Sequence, residues 1–126
     1  RRNVGRKHRA ILRGERPSSL LAGTNTTIGV IATDAAIDKV QAHRLAVVSH
    51  DGLARSINPV HTMSDGDTLF AMGTGASGEN PGMLLLATLA AEVVALATEQ
   101  AVLAARSITL ENGLVLPGLA DWSAAQ

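Results

Sequence analysis

Two short stretches of this chain combine residue types that could carry chemistry. The first is Thr24-Asn25-Thr26-Thr27, set directly ahead of the apolar run Ile28-Gly29-Val30-Ile31-Ala32. Connectivity alone allows the Thr26 hydroxyl to attack the carbonyl of Asn25. Hydrolysis of the resulting ester would leave Thr26 as a new N-terminus. A terminal threonine holds a hydroxyl nucleophile and, in its own amine, a group that can serve as the base. The plain alternative is an ordinary strand entry, because Thr is common in strands and Asn is common just before them.

The second stretch is Asp65-Gly66-Asp67. Two carboxylates two residues apart, projecting from a tight turn, could orient a proton relay, hold a divalent cation or cap the turn. An Asp-Gly turn with one carboxylate bonding the backbone is the structural alternative. His61 lies four residues upstream. A His61, Asp65 and Asp67 metal site is poorly supported, since the short loop offers no fourth ligand, and no cofactor or metal is expected.

Gly73-Thr74-Gly75-Ala76-Ser77-Gly78 matches the G-x-G-x-x-G pattern of dinucleotide sites. There the last Gly lies inside the helix, so that helix N-terminal amides face a pyrophosphate. Here Glu79-Asn80-Pro81-Gly82 intervenes, and no strand ending in Asp or Glu follows at the required distance. A loop bordering a site is the expected role. His43 and His50 share one helix face, with Asp51 adjacent, and read as a hydrogen-bonded surface or interface pair. Ser49 and Ser56 show no spacing from which a serine triad could be built.

The elements that must position these groups follow from apolar spacing. Residues 23–33 read as a strand rich in β-branched residues. Asp38 is the expected N-cap of a helix over 39–57, with Gly52 a soft point inside it, and Asn58-Pro59 ends it because Pro disfavours the α conformation in the preceding residue. A second strand is expected over 67–72. Residues 83–106 form a long Ala-rich helix, apolar on most faces and so expected between layers. A short strand near 114–116 follows the Asn112-Gly113 turn. This β-α-β-α-β order indicates an α/β layered domain.

At 126 residues the chain is one domain or part of one, and 46% hydrophobic content gives it enough apolar surface for a core. Its aromatics are Phe70 and Trp122, so the core must come from Ala, Leu, Val and Ile, and stacking platforms for single-stranded nucleic acid are lacking. The absence of cysteine excludes thiol nucleophiles, thiolate metal sites and disulfides. The net charge of zero conceals an asymmetry: residues 1–16 hold seven of the eleven Lys and Arg against one acid, Glu15. A basic arm of this kind fits nucleic acid or an anionic surface. The preferred reading is a solvated arm and linker over 1–23, closed by Pro17-Ser18-Ser19, ahead of a portion spanning 24–126; no nucleic-acid partner is expected. Ala10-Ile11-Leu12 is too short for the apolar region of a secretory signal, and cytoplasmic localisation is expected. Glu92 inside residues 83–97 favours a buried helix over a membrane span. Because the chain opens on Arg, it is expected to be a fragment or a processed piece.

Taken as a set, Asn25 to Ala35, Ala42-His43-Arg44-Leu45-Ala46, His50-Asp51-Gly52-Leu53-Ala54-Arg55 and His61 to Ala71 resemble the L-aminopeptidase/D-esterase family of N-terminal-nucleophile hydrolases. That family includes β-peptidyl aminopeptidases and 6-aminohexanoate-oligomer (nylon oligomer) hydrolases, and the threonine with paired aspartates is most similar to the latter branch. The resemblance covers residues 24–72 and extends to about 106. It implies an αββα sandwich, autocleavage at Asn25-Thr26, Thr26 as nucleophile, and Asp65 and Asp67 as the polar pair supporting Thr26 and its amine. It also implies a small peptide or amide-oligomer substrate and a homo-oligomer of the processed enzyme. The family's long N-terminal subunit supplies an oxyanion-stabilising Asn and a supporting Lys or Tyr. Residues 1–25 resemble only its tail, so an incomplete oxyanion hole is expected in this chain alone; one such donor is typically worth about 10²–10³ in rate.

Two rival readings remain at this level. One is a nucleotide-binding module using Gly73 to Gly78, which requires affinity for a nucleotide. The other is a non-catalytic interaction module in which Asn25-Thr26 stays uncut and the basic arm meets an acidic partner with strong salt dependence.

Overall fold

The computed structural model describes residues 6–15 and 25–122. Thr24, Pro17-Ser18-Ser19 and much of the basic arm lie outside the described residues. Within the arm, Arg6–Leu12 form a helix (α1), and Arg13 pairs with Glu15 at 2.9 Å just beyond it.

The element order continues with β1 (Ile28–Thr33), α2 (Lys39–Ser56), β2 (Thr68–Gly73), α3 (Met83–Ala104), β3 (Ile108–Thr109), β4 (Val115–Leu116) and α4 (Leu119–Trp122). Strands β1 and β2 pair in parallel, with Ile28 opposite Thr68 and Thr33 opposite Gly73. Parallel neighbours require a crossover, and α2 supplies it. The side-chain period of two then divides the pair into faces. Ile31, Leu69 and Ala71 pack toward the helices, while Ile28, Val30, Phe70 and Met72 are exposed on the other face.

Helix α2 begins where its capping residues dictate. Asp38 Oδ1 accepts from the Gln41 main-chain N–H at 2.7 Å, and Gln41 Oε1 accepts from the Asp38 N–H at 3.0 Å. This reciprocal pair satisfies two donors that no helical carbonyl can reach. The helix stops at Ile57, ahead of the cis Asn58–Pro59 bond. Its buried residues are Leu45, Ser49, Gly52 and Leu53, spaced to form one stripe. Complete burial of Leu45 or Leu53 stabilises by about 1.5–3 kcal/mol each.

Gly52 is a contact point, not the soft point expected from its type. A Cβ there would collide with the Ala91 carbonyl oxygen and stand 2.7 Å from Val94 Cβ. The missing side chain lets α2 and α3 approach closely. Helix α3 buries Leu86, Ala90, Ala91 and Val94 on this side, and Arg55 of α2 bonds Glu92 at 3.1 Å.

The expectation that α3 is buried between layers is not met within the described residues. Leu84, Leu85, Leu89, Val93 and Leu96 are exposed, because α2 covers one stripe of a helix that is apolar nearly all round. By length and composition alone α3 is apolar enough to cross a membrane, the one such helix among the described residues. The short strand expected after the Asn112-Gly113 turn is present. Val115–Leu116 pairs antiparallel with Ile108–Thr109 in a separate hairpin and not with β1 or β2. Its turn carries Gly113 at φ 82°, and Asn112 Oδ1 accepts from the Leu114 N–H at 3.0 Å.

Candidate active site

The parallel pairing of β1 and β2 reaches past their formal ends to a bridge between Asn25 and Asp65. The offset of the Ile28–Thr68 pair is thus kept across the intervening residues. Around this crossing the Gly66 N–H donates to the Asn25 carbonyl at 2.9 Å and the Thr68 N–H donates to the Thr27 carbonyl at 2.8 Å. Between them the main-chain ladder is interrupted. The Thr27 N–H goes to Asp67 Oδ1 at 3.0 Å, while the Gly66 carbonyl accepts from the Thr68 hydroxyl at 3.3 Å.

Thr26 sits at this interruption, exposed, with its hydroxyl over Gly66. A Cβ on Gly66 would stand 2.8 Å from Thr26 Oγ1. The fold therefore brings Thr26 to the Asp65-Gly66-Asp67 turn, forty residues away in sequence, through the register of two strands.

The two aspartates have different partners. Asp65 Oδ2 accepts from the Thr62 N–H at 2.7 Å, and the Asp65 N–H returns to the Thr62 carbonyl at 3.1 Å. Its carboxylate closes the turn, the structural role open to it from sequence. Asp67 is almost buried, its side chain 7% exposed, with Oδ1 on Thr27 and Oδ2 3.3 Å from His61 Nδ1. A buried carboxylate needs such partners, since leaving it unpaired costs several kcal/mol. Asp67 is thereby fixed beside the residue that follows Thr26.

His61 is the residue whose role the sequence did not reveal. It has φ 55°, in the left-handed region that non-glycine residues rarely occupy. Its ring meets His50 at 5.0 Å between centroids, tilted by 53°. His43 and His50, expected as a hydrogen-bonded pair on one helix face, instead line a shallow hollow of ≈ 360 Å³ with Ala46, Val47, His61 and Leu69. A histidine four residues before an Asp-Gly-Asp turn is the available signal, but that spacing by itself suggests metal ligation and not a bond to one carboxylate. His61, Asp65 and Asp67 do not converge as ligands, and no three His, Asp or Glu side chains do so among the described residues.

The other sequence motifs take structural roles. Ser49 is buried and donates to the Leu45 carbonyl at 2.7 Å, and Ser56 donates to the Gly52 carbonyl at 3.0 Å. Gly73 ends β2, and Gly75 and Gly78 adopt φ 68° and 70°, which a side chain would strain. The loop between them is tied to the segment after β1: Ser77 N–H to the Asp34 carbonyl at 3.0 Å, Ala36 N–H to the Glu79 carbonyl at 2.7 Å. Helix α3 starts only at Met83, with Gly82 as its N-cap. The third glycine of the pattern is therefore outside the helix that a dinucleotide site requires at that point.

The fold thus sets an exposed threonine at a strand entry against a turn that carries a buried aspartate, on a scaffold of mixed helices and strands. The chain belongs to peptidase family S58, whose family model matches residues 2–116, in agreement with the resemblance read from the sequence. Over 68 residues it is 53% identical to an uncharacterized aminopeptidase of Mycobacterium tuberculosis, a match covering 54% of this chain and 20% of the relative. A similar relative from Mycobacterium leprae is 55% identical over 58 residues, 46% of this chain and 16% of the relative. A 6-aminohexanoate-oligomer endohydrolase of Paenarthrobacter ureafaciens is 44% identical over 50 residues, covering 40% of this chain and 14% of that protein. These matches span a fifth or less of each relative's length.

Proposed function

We propose that this chain is the nucleophile-bearing part of an N-terminal-nucleophile amide hydrolase, activated by cleavage between Asn25 and Thr26. The observation that carries the proposal is the seating of that junction on the Asp65-Gly66-Asp67 turn, with the Thr26 hydroxyl over Gly66. Once freed, the Thr26 amine takes the hydroxyl proton directly or through a water, and Oγ1 attacks an amide or ester carbonyl. The acyl-enzyme releases an amine and is then hydrolysed. Asp67, already beside Thr27, holds the new N-terminus in place, and Asp65 keeps the turn in shape.

The names of the relatives support a small peptide or an amide oligomer as substrate. Membership of the peptidase family supports an αββα sandwich. The exposed apolar face of the β1–β2 pair, with Phe70 and Met72, suits a second sheet, and the exposed stripe of α3 suits a further layer. A subunit preceding Thr26 would complete the oxyanion hole, and the processed enzyme would assemble as a homo-oligomer.

The test is turnover by a precursor carrying this chain and the sequence that precedes it. Chromatography should show new amines from 6-aminohexanoate oligomers or short peptides, and none from the Thr26→Ala form. Equal turnover by both forms would contradict the proposal.

A further inference from the structure

We infer that the main-chain N–H of Gly66 activates the carbonyl that Thr26 attacks during self-cleavage. This rests on the function proposed above and assigns a residue to its first step. In the uncut chain the Gly66 N–H donates at 2.9 Å to the carbonyl oxygen of Asn25, the carbonyl of the bond to be broken. The attacking group lies over the same residue, since a Cβ on Gly66 would stand 2.8 Å from Thr26 Oγ1. Gly66 thus serves both reactants: its N–H holds the electrophile, and its missing side chain leaves room for the nucleophile.

The step balances within the chain. As the Thr26 hydroxyl proton passes to a base, Oγ1 bonds to the Asn25 carbonyl carbon and the carbonyl electron pair moves to oxygen. The Gly66 N–H bonds that oxyanion. Collapse breaks the bond from carbon to the Thr26 nitrogen, which takes a proton and becomes the free amine. Water then hydrolyses the ester, returning the hydroxyl to Thr26 and leaving Asn25 with a carboxylate. A donor aimed at an oxygen whose charge grows during reaction stabilises the intermediate more than the starting amide.

The donor is held before the reaction begins. The Asn25–Asp65 bridge lies on one side of it and the Thr68 N–H bond to the Thr27 carbonyl, 2.8 Å, on the other. Asp65 is fixed in turn by Thr62. No rearrangement is needed to aim this N–H, the condition under which such donors act most strongly.

Main-chain ester substitution tests the inference without altering side chains. Residue 66 of the precursor is replaced by glycolic acid through nonsense suppression in cell-free translation, which exchanges the N–H for oxygen and adds no Cβ. A second form carries the α-hydroxy acid analogue of threonine at position 68. It removes the neighbouring ladder bond, to Thr27, and leaves the scissile carbonyl bonded. The break between Asn25 and Thr26 is followed over time by intact mass. The ester at 66 should slow it by about 10²-fold, the lower end for loss of one oxyanion donor, while the ester at 68 should cleave close to the unsubstituted rate. Equal rates for the two ester forms would overturn the role of Gly66, because a merely structural bond would be felt equally at both positions. An unsubstituted precursor that stays intact would overturn the proposed function itself and this inference with it.

Discussion

Two regions of this molecule carry conspicuous glycine-containing motifs, and the structure uses them oppositely. At the Asn25–Thr27 crossing, Gly66 sits where two strands meet. Its N–H is on the Asn25 carbonyl and its open face lies under the Thr26 hydroxyl. In the Gly73 to Gly82 connection, the glycines supply left-handed backbone, and the amides of Ser77 and Ala36 are taken by carbonyls across the two loop segments. The first region leaves a hydroxyl exposed over Gly66, next to the Thr27 N–H that a buried carboxylate holds. The second uses its donors to fasten one loop to another. A motif therefore indicates chemistry only when its polar groups remain available or face a reactive partner.

The sharpest way to break this comparison is to remove the nucleophile. Thr26→Ala should abolish the break at Asn25-Thr26, read by the mass of the purified chain, whereas Ser77→Ala in the second region should leave it unchanged. Next is the buried carboxylate. Asp67→Ala strands the Thr27 N–H and His61, and hydrogen bonds to a charged group are worth about 1.5–3 kcal/mol. Cleavage should slow by roughly 10- to 10²-fold, at about 1.4 kcal/mol per decade, as followed on gels over time.

His61 separates backbone from side chain. His61→Gly keeps φ 55° accessible but removes the imidazole, while Asn tolerates the same φ and can place a donor near Nδ1. The Gly form should cleave more slowly and the Asn form should recover most of the rate, a smaller effect than that of Asp67. Equal rates would show that the imidazole does nothing for Asp67. In the second region Gly75→Ala, at φ 68°, should cost about 1–2 kcal/mol in urea unfolding and leave cleavage untouched.

The smallest effect belongs to a corner remote from both regions. Asp121 is held below its ordinary value of 3.8 by bonds from the Ser107 main chain and side chain. A depressed carboxylate adds stability above that value and loses it as pH falls through the lowered one. The stability difference between Asp121→Asn and the unsubstituted chain should therefore shrink as the pH is taken below 3.8, measured by thermal unfolding.

Much of this frame was legible in the residues. Asp38 with Gln41 marks the start of α2 through complementary side chains, and Asn58-Pro59 marks its end through backbone sterics. The parallel strands were legible as two β-branched or apolar runs separated by a helix. Proximity of Thr26 to the Asp65-Gly66-Asp67 turn came from family resemblance. Geometry adds the register of Asn25 on Asp65, which local patterning cannot specify. The division of labour between the aspartates was illegible, because it depends on Thr62 reaching one carboxylate and Thr27 with His61 the other. Gly52 misled for a related reason: propensity prices a glycine as a weak point, and only the approach of Ala91 makes it a fit. The exposed stripe of α3 is not legible either, because composition reports what a helix can bury, not what covers it within this chain.

The central claim is that the bond between Asn25 and Thr26 is a self-cleaving junction. Its most direct measurement is the intact mass, with N-terminal sequencing, of a purified precursor that contains this chain. The account predicts two pieces, the second beginning with Thr26-Thr27-Ile28, and a single uncut species for Thr26→Ala. A fully active preparation that remains one uncut chain would contradict it.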